Sequence, residues 1–396
     1  MDCAMYSKSA APPPDGCADW SNVELSVEMK VNKENKDDMF TEAWPHYPAD
    51  SDKRKDNLGQ VMSYSTLVFD RQHRTHHFTL VIIGSWARII RWDRSVAVFT
   101  EKFDYKAEPH KLGRFLWCFS RLQPTQRGHD PTVTRVLPDS KDDILMHERA
   151  AQPRKVGGRA VDEHVRTAFK NSLKTDWPWY KMVVHDKTGD KELLVGKPNF
   201  IAAGLAGRGT RGYIAIDKAD PYGPFVYLKD VWRVVHDRIQ KEGDVLTELN
   251  TANVPYIPTL RYDGDVPGQR TDPIQRWKTL YGQKRGSPPK EPQCPLKIHQ
   301  HYRMVVNEVG SPLSDFANGK ELVQIMLDCL DGAWLAVSIQ NQFAHTYLSA
   351  QRTRLPSRLG TSIAISAQVT SSSFEGKRAP RRPSRACLLT GNSPSE

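Results

Sequence analysis

The sequence predicts two folded units in series, the first α/β and the second α+β. Three observations carry this. Alternating or apolar runs around one helical stretch fill residues 19–140, the pattern of strands packed against a helix. Between 207 and 249 a strand, a tight turn, a second strand and a helical segment follow in order, which suits an antiparallel sheet with a helix on one face. The 396 residues, 39% of them hydrophobic, are too many for one ordinary core and supply ample material for two.

The elements follow from local pattern. Met1–Ala18 is Pro-rich and predicts a disordered leader over 1–18. Val23–Lys30 alternates as a strand, Glu34–Asn57 reads as a charged excursion, and Gln60–Phe69 reads as a helix with Val61, Tyr64 and Val68 on one stripe. Phe78–Ile83, Ala87–Trp92 and Ala97–Phe103 supply further strands, closing an α/β domain near Asp139, over 19–140. A helical connector over 141–180 surrounds a basic break at Gln152–Arg159. Tyr180–Val184 and Glu192–Val195 pair about the turn Lys187-Thr188-Gly189-Asp190.

The chemistry concentrates after this hairpin, in Gly207-Arg208-Gly209-Thr210-Arg211-Gly212-Tyr213. Ile214–Ile216 alternates out of that run, Asp220–Pro224 turns the chain, and Phe225–Leu228 returns to place Lys229 on a strand. Val235, Ile239, Glu242, Leu246 and Leu249 then share a helical face, so Glu242 can point back at the sheet. A glycine turn closes over phosphates through its backbone N–H groups, a strand lysine grips them, and a helix glutamate holds the lysine. A plain hairpin and helix carrying a solvated Lys and Glu produces the same spacing.

The longer wording resembles the fungal-type protein kinase family. The match rests on the 207–213 run, Leu228-Lys229-Asp230-Val231-Trp232-Arg233, Glu242-Gly243-Asp244-Val245-Leu246, His301–Val306 and Glu308-Val309-Gly310-Ser311-Pro312-Leu313, and it extends over about the first 340 residues. The resemblance implies a protein-kinase-like region over 181–340, made of the small lobe, a hinge and the first large-lobe helix, Lys320–Leu330. It implies ATP with Mg2+: Gly207, Gly209 and Gly212 covering the phosphates, Lys229 contacting them, Glu242 orienting Lys229, and Glu308 to Gly310 facing adenine. It also implies Ser/Thr phosphotransfer to a protein substrate. The sequence departs where chemistry would follow, because no H-R-D-x-x-x-x-N and no D-F-G run occurs. The expectation is therefore a truncated, inactive kinase with no complete catalytic set. The rival is a non-catalytic scaffold that contacts protein or nucleic acid through its tail and first domain.

The first domain carries its own motif. Glu28-Met29-Lys30 at a strand end, followed by a helix starting near Gln60, looks like the E-x-K element of the restriction-endonuclease-like superfamily. Strand alternation puts Glu28 and Lys30 on one face, where a carboxylate binds a divalent ion and a lysine polarises water. Asp19 is the nearest upstream carboxylate, with little chain before it to build another strand. An inert remnant and a solvated charged strand are the competing readings.

Residues 341–396 predict a basic disordered tail: Arg352, Arg354, Arg358, Lys377, Arg378, Arg381, Arg382 and Arg385 stand against Glu375 and Glu396, for +6 of the chain's +10. Such charge would dock on nucleic acid. A shifted or mis-spliced frame also explains the abrupt loss of pattern. Gly196-Lys197 lacks Walker spacing, and Lys284–Lys290 reads as a solvated loop. No apolar run is long enough to span a membrane, and Cys3, Cys17, Cys118, Cys294, Cys329 and Cys387 show neither C-x-x-C nor zinc spacing. Cytoplasm or nucleus is the expected location.

Overall fold

The computed structural model describes residues 1–7, 9–10, 12, 16–31, 37–40, 51–152, 155–156, 159–160, 163–276, 278, 296–352 and 388–391. They form two compact units, one of Met1–Thr247, Pro258–Gly310 and Ala386–Glu396, the other of Glu248–Ile257 and Ser311–Arg385. The tail bases from Arg354 to Arg385, Cys294 and the Lys284–Lys290 run lie outside the described residues. Among the described residues no helix is long and apolar enough to cross a membrane.

The first sheet of the large unit is built from β1 (Cys3–Met5), β2 (Leu25–Lys30), β3 (His76–Ile83), β4 (Trp86–Asp93), β5 (Ala97–Thr100) and β6 (Phe103–Asp104). Its order is β1-β2-β3-β4-β5, with β6 on β4 and Leu388–Gly391 along β5. β1 falls in the segment read as a leader; it pairs Cys3 with Val27 and Met5 with Leu25. β2 and β3 run parallel, Leu25 opposite Phe78, across the helix α1 (Asp52–Arg71). That helix starts eight residues before the sequence pattern indicated. Ser51 accepts from the Arg54 amide, and Asp52 and Arg71 complement the dipole at its two ends, so a charged stretch is helical without an apolar stripe. α1 covers one face through Leu58, Val61 and Phe69 against Val81, Ile83, Ile90 and Trp92. α2 (Pro109–Arg121) covers the other, with Phe119 against Leu25, Val27 and Leu80.

The chain then changes sheet. β7 (Val133–Arg135), although within the span assigned to the first domain, joins β10. Helix α3 (Lys141–Ala151), the short hairpin β8 (Lys155–Val156) and β9 (Arg159–Ala160), and α4 (Glu163–Ser172) lead into β10 (Tyr180–Asp186). β11 (Gly189–Val195), β12 (Phe200–Ile201), β13 (Arg211–Asp217), β14 (Val226–Val234), helix α5 (Glu242–Thr251), β15 (Leu260–Arg270) and β16 (His299–Val306) follow. The sheet order is β15-β16-β14-β13-β11-β10-β7, with β12 on β13. It curls until β15 approaches β10: a Cβ on Gly264 would overlap the His185 carbonyl oxygen, so only glycine fits there. Inside the curl pack Met182, Val184, Leu193, Tyr213, Val226, Leu228 and Val305. Outside, Met146, Val165 and Phe169 of α3 and α4 cover Leu194, Ile214 and Ile216. The helix expected to include Val235 and Ile239 begins only at Glu242. The Val235 amide donates to Ile298, prolonging the strand alignment, and Ile239 sits in an exposed turn. In the second unit a helix spans Gly319–Arg352, crossing the expected boundary at 340.

The two sheets meet at buried charge. Asp230 accepts from Arg211 Nη2 at 2.8 Å, Arg303 Nε at 2.9 Å and His301 Nε2 at 2.7 Å. Arg303 Nη2 reaches Asp130 at 2.6 Å, Gln269 Nε2 reaches the same carboxylate, and Arg303 Nη1 donates to Thr132 and to the Val183 carbonyl. Arg211 also donates to His73 Nδ1 and to the carbonyls of Phe69 and Gln72. A ring nitrogen that accepts from a guanidinium carries no proton, so His73 is neutral although 3.8 Å from Asp230; burial first, and Arg211 next, hold it well below the usual range. Burial pushes the Asp230 carboxyl up, but His301, Arg211 and Arg303 outweigh it and keep the group ionised. Removing one member of a buried ion set leaves the others uncompensated, at about 3–5 kcal/mol. Asp230→Asn should therefore lower the stability of the large unit by roughly that amount in denaturant titration.

Glu24 anchors a second cluster, accepting from Arg74 at 3.0 Å and bonded to His129 at 3.0 Å. Burial alone raises its pKa, yet the His129 hydrogen bond and the Arg74, His129 and Arg127 charges bring it from 4.5 to about 2. A depressed carboxylate stabilises the fold fully above its unfolded pKa and loses that contribution as pH falls through the folded value. Acid unfolding of wild type should show this loss between about pH 4.5 and 2, and Glu24→Gln should flatten the slope in that window.

Candidate functional site

Lys229 sits in the middle of β14, opposite Gly212 in β13 and Met304 in β16. Alternation places it with Tyr227 and Val231 on one face of the strand, and Leu228 and Asp230 on the other. Its Nζ donates to both oxygens of Glu242, at 2.7 and 2.6 Å. Glu242 is the first residue of α5, and that helix start is tethered to the sheet: the Gly243 amide donates to the Tyr302 hydroxyl at 3.0 Å, which donates to Asp263 at 2.9 Å. A side chain at position 243 would overlap Asp263 and the Tyr302 hydroxyl. Arg208 Nη2 lies 3.9 Å from Glu242, so the carboxylate faces two cations. The Lys229 and Glu242 side chains are 25% and 41% exposed. A pair that open is worth about 0–1 kcal/mol to stability. It is thus poorly explained as a structural tie, while its ammonium group remains close enough to solvent to meet a ligand.

The glycines have a different setting. Gly207 and Gly209 have φ of 103° and 48°, and the Gly207 amide donates to the Arg94 carbonyl at 2.7 Å. Arg94 Nη1 donates back to the carbonyls of Leu205 at 3.0 Å and Gly204 at 3.4 Å. Leu205 packs in the core beneath α1 with Phe69 and Trp92, and the Arg94 guanidinium lies over the Phe69 ring. A Cβ on Gly209 would fall on that guanidinium, and one on Gly212 would fall on the Tyr227 hydroxyl. The run is therefore bolted to the first sheet on one side. On the other, the Arg208 carbonyl accepts from the Trp232 amide at 2.8 Å. Packing and backbone geometry account for these glycines without a phosphate, and one of the expected phosphate-facing amides is already engaged.

Glu308 and Gly310 are exposed beyond the end of β16. Glu308 accepts from the Thr259 amide at 2.7 Å, and Val309 packs against the cluster beneath α3 and α4. Among the described residues, no hydrogen bond or ion pair connects Glu308 or Gly310 to Lys229. In the first sheet Lys30 Nζ lies 2.7 Å from Glu28 and 2.7 Å from Gln60 Oε1, so Glu28, 2% exposed, is neutralised by its neighbour. Asp19 instead accepts from Ser21 and Asn22 in a local turn. Among the described residues no group of three His, Cys, Asp or Glu side chains stands where it could hold a metal ion.

Arg94, Asp130, Asp230, Arg211 and Arg303 were not singled out from the sequence. The available signal was a charge inside an otherwise apolar strand, as in Val226-Tyr227-Leu228-Lys229-Asp230-Val231-Trp232. Charged residues at such positions are buried only with partners, and partners remote in sequence cannot be read from it. Gly209→Ala should destabilise the protein by about 1–3 kcal/mol through overpacking. In a double-mutant cycle Arg94→Ala should relieve part of that cost, giving non-additive losses in thermal denaturation.

A family model described as fungal protein kinase matches residues 1–341. No curated protein and no solved structure matches the chain.

Proposed function

Because the chain belongs to the fungal protein kinase family, we propose that β10–β16 with α5 act as a kinase-like small lobe that binds ATP at Lys229, and that these 396 residues do not transfer phosphate unaided. The observation that carries this is the Lys229–Glu242 pair, made by the centre of a strand and the first residue of the following helix. Lys229 would neutralise phosphate oxygens, Glu242 would hold Lys229 in register with Gly212 and Met304, and backbone groups of Glu308 to Gly310 would meet the adenine edge. Bound ATP would bring Mg2+ to share the phosphate charge. Phosphotransfer depends on positioning a nucleophile and on charge neutralisation, and the sequence contains no H-R-D-x-x-x-x-N or D-F-G run to supply them.

A second reading, a non-catalytic scaffold, is favoured by one observation. The Gly207 amide and the Gly209 surface are committed to Arg94, so the loop need not contact a nucleotide to be conformationally defined. Magnesium-ATP thermal shift separates the two. Wild type should gain stability, about 2.7 kcal/mol at a ligand concentration one hundred times Kd, and Lys229→Ala should lose the gain while keeping its unliganded midpoint. Absence of a shift in both proteins would sink the ATP site and leave the scaffold. Transfer of γ-phosphate to a generic protein substrate by wild type, but not by Lys229→Ala, would overturn the claim of inactivity.

A further inference from the structure

A cavity of about 250 Å3 opens between the two sheets of the large unit, lined by His76, Arg91 and Asp93 from the first and by Trp232, Arg270 and Arg276 from the second or just beyond it. At ~30 Å3 per water this is room for roughly eight waters. Trp232 and Lys229 lie three residues apart on β14 and so face opposite sides, which separates the cavity from the lysine site.

The cavity's polar groups are unevenly spent. Asp93 is engaged on both oxygens: Oδ1 accepts from the Ser95 and Val96 amides at 2.8 and 2.9 Å, and Oδ2 from Arg91 Nη1 at 2.9 Å. Asp272, also in the lining, accepts from the Gln275 amide at 3.2 Å. The second oxygen of Asp272 is left over among the described residues, and so are three donors. The side chains of Arg270 and Arg276 make no hydrogen bond or ion pair among the described residues, and neither does the indole N–H of Trp232, a residue only 3% exposed. The Trp232 ring is held flat on His301, with centroids 4.6 Å apart and an interplanar angle of 3°, so that donor is fixed in place. His76 adds no charge, since burial brings it down to about 4. Arg91 is depressed first by burial, and the nearby Arg276 charge adds to this against the pull of Asp93. Arg270 and Arg276 thus line a concave surface in which Arg276 stands near Arg91 and the Asp93 carboxylate is already occupied. Planar guanidinium forks match the spacing of phosphate oxygens, and the indole N–H of Trp232 in the cavity lining supplies a third point of contact.

We propose that this inter-sheet cavity binds the phosphate group of a small molecule, held by Arg270 and Arg276 with the Trp232 N–H as third donor. The ligand would be held by donors of the second sheet and the segment after it, inside a cavity whose opposite wall is His76, Arg91 and Asp93 of the first.

The test is calorimetric titration of the full chain carrying Lys229→Ala, so that phosphate has no lysine site to enter. Inorganic phosphate and glycerol phosphate serve as separate probes. Saturable binding of either, weakened at least tenfold by adding Arg270→Gln and Arg276→Gln, is the expected result; Trp232→Phe, which keeps the ring and removes the N–H, should weaken it by a smaller factor. Tighter binding of glycerol phosphate than of inorganic phosphate would identify a phosphomonoester as the ligand, and the reverse order would identify the free ion. Far-ultraviolet circular dichroism checks folding, and single Arg276→Gln replaces the paired variant if that variant fails to fold. No saturable heat from either probe, or equal affinity with and without the arginine substitutions, would overturn the proposal.

Discussion

A carboxylate taken out of water costs several kcal/mol unless cations and donors replace the solvent, and Asp230 meets that demand inside the large unit. Arg211 comes from the neighbouring strand on one side, Arg303 and His301 from the strand on the other. Arg303 then extends to Asp130, and Arg211 to His73. Two guanidinium groups thus balance two carboxylates, with Asp130 supplied from before β7 and Asp230, Arg211 and Arg303 by the curled sheet. Both sheets lie in one compact unit, whereas composition and pattern assign them to successive segments.

The same strand carries the candidate site on its opposite face. Lys229 and Asp230 are consecutive, so alternation sends one side chain toward α5 and the other into the ionic hub. Any shift of β14 that moved Lys229 out of line with Gly212 and Met304 would also pull Asp230 from Arg211 and Arg303. The register of an open, partly exposed pair is thereby enforced by a buried network that it does not touch. Tethering of α5 through Gly243, Tyr302 and Asp263 does the same for Glu242.

The glycine run connects the two halves by a third route. Its positive φ angles let the backbone fold back on Arg94, and the absence of side chains lets a guanidinium lie against Gly209. In the proposed kinase reading, the loop over the phosphates is positioned by the first sheet as well as by its flanking strands. Nucleotide contact by the Gly207 amide would require that amide to leave Arg94. The loop's chemistry and the docking of the two sheets are therefore linked through one side chain.

Much of the local structure was legible before any tertiary information. Alternation marked Phe78–Ile83, Ala87–Trp92 and Tyr180–Val184 as strands, turn residues marked Asp220–Pro224, and the spacing from Lys229 to Glu242 predicted a pair that forms at 2.6 Å. Helix α1 was only half visible, because capping by Ser51 and charge at its ends extend it beyond its apolar stripe. The reach of α5 was overstated, because Val235 obeys a strand hydrogen bond rather than helical periodicity. Sequence by itself determined the strand and helix periods, the family resemblance and the lysine–glutamate pair, since these depend on neighbours a few residues apart or on a motif held in order. Only the tertiary structure decided that Arg94 occupies the glycine run, that Asp130 and Asp230 share Arg303, and that Arg91 and Arg276 border one cavity. Those contacts join residues separated by more than seventy positions, and are selected by the burial of charge, which leaves no periodic trace in the chain.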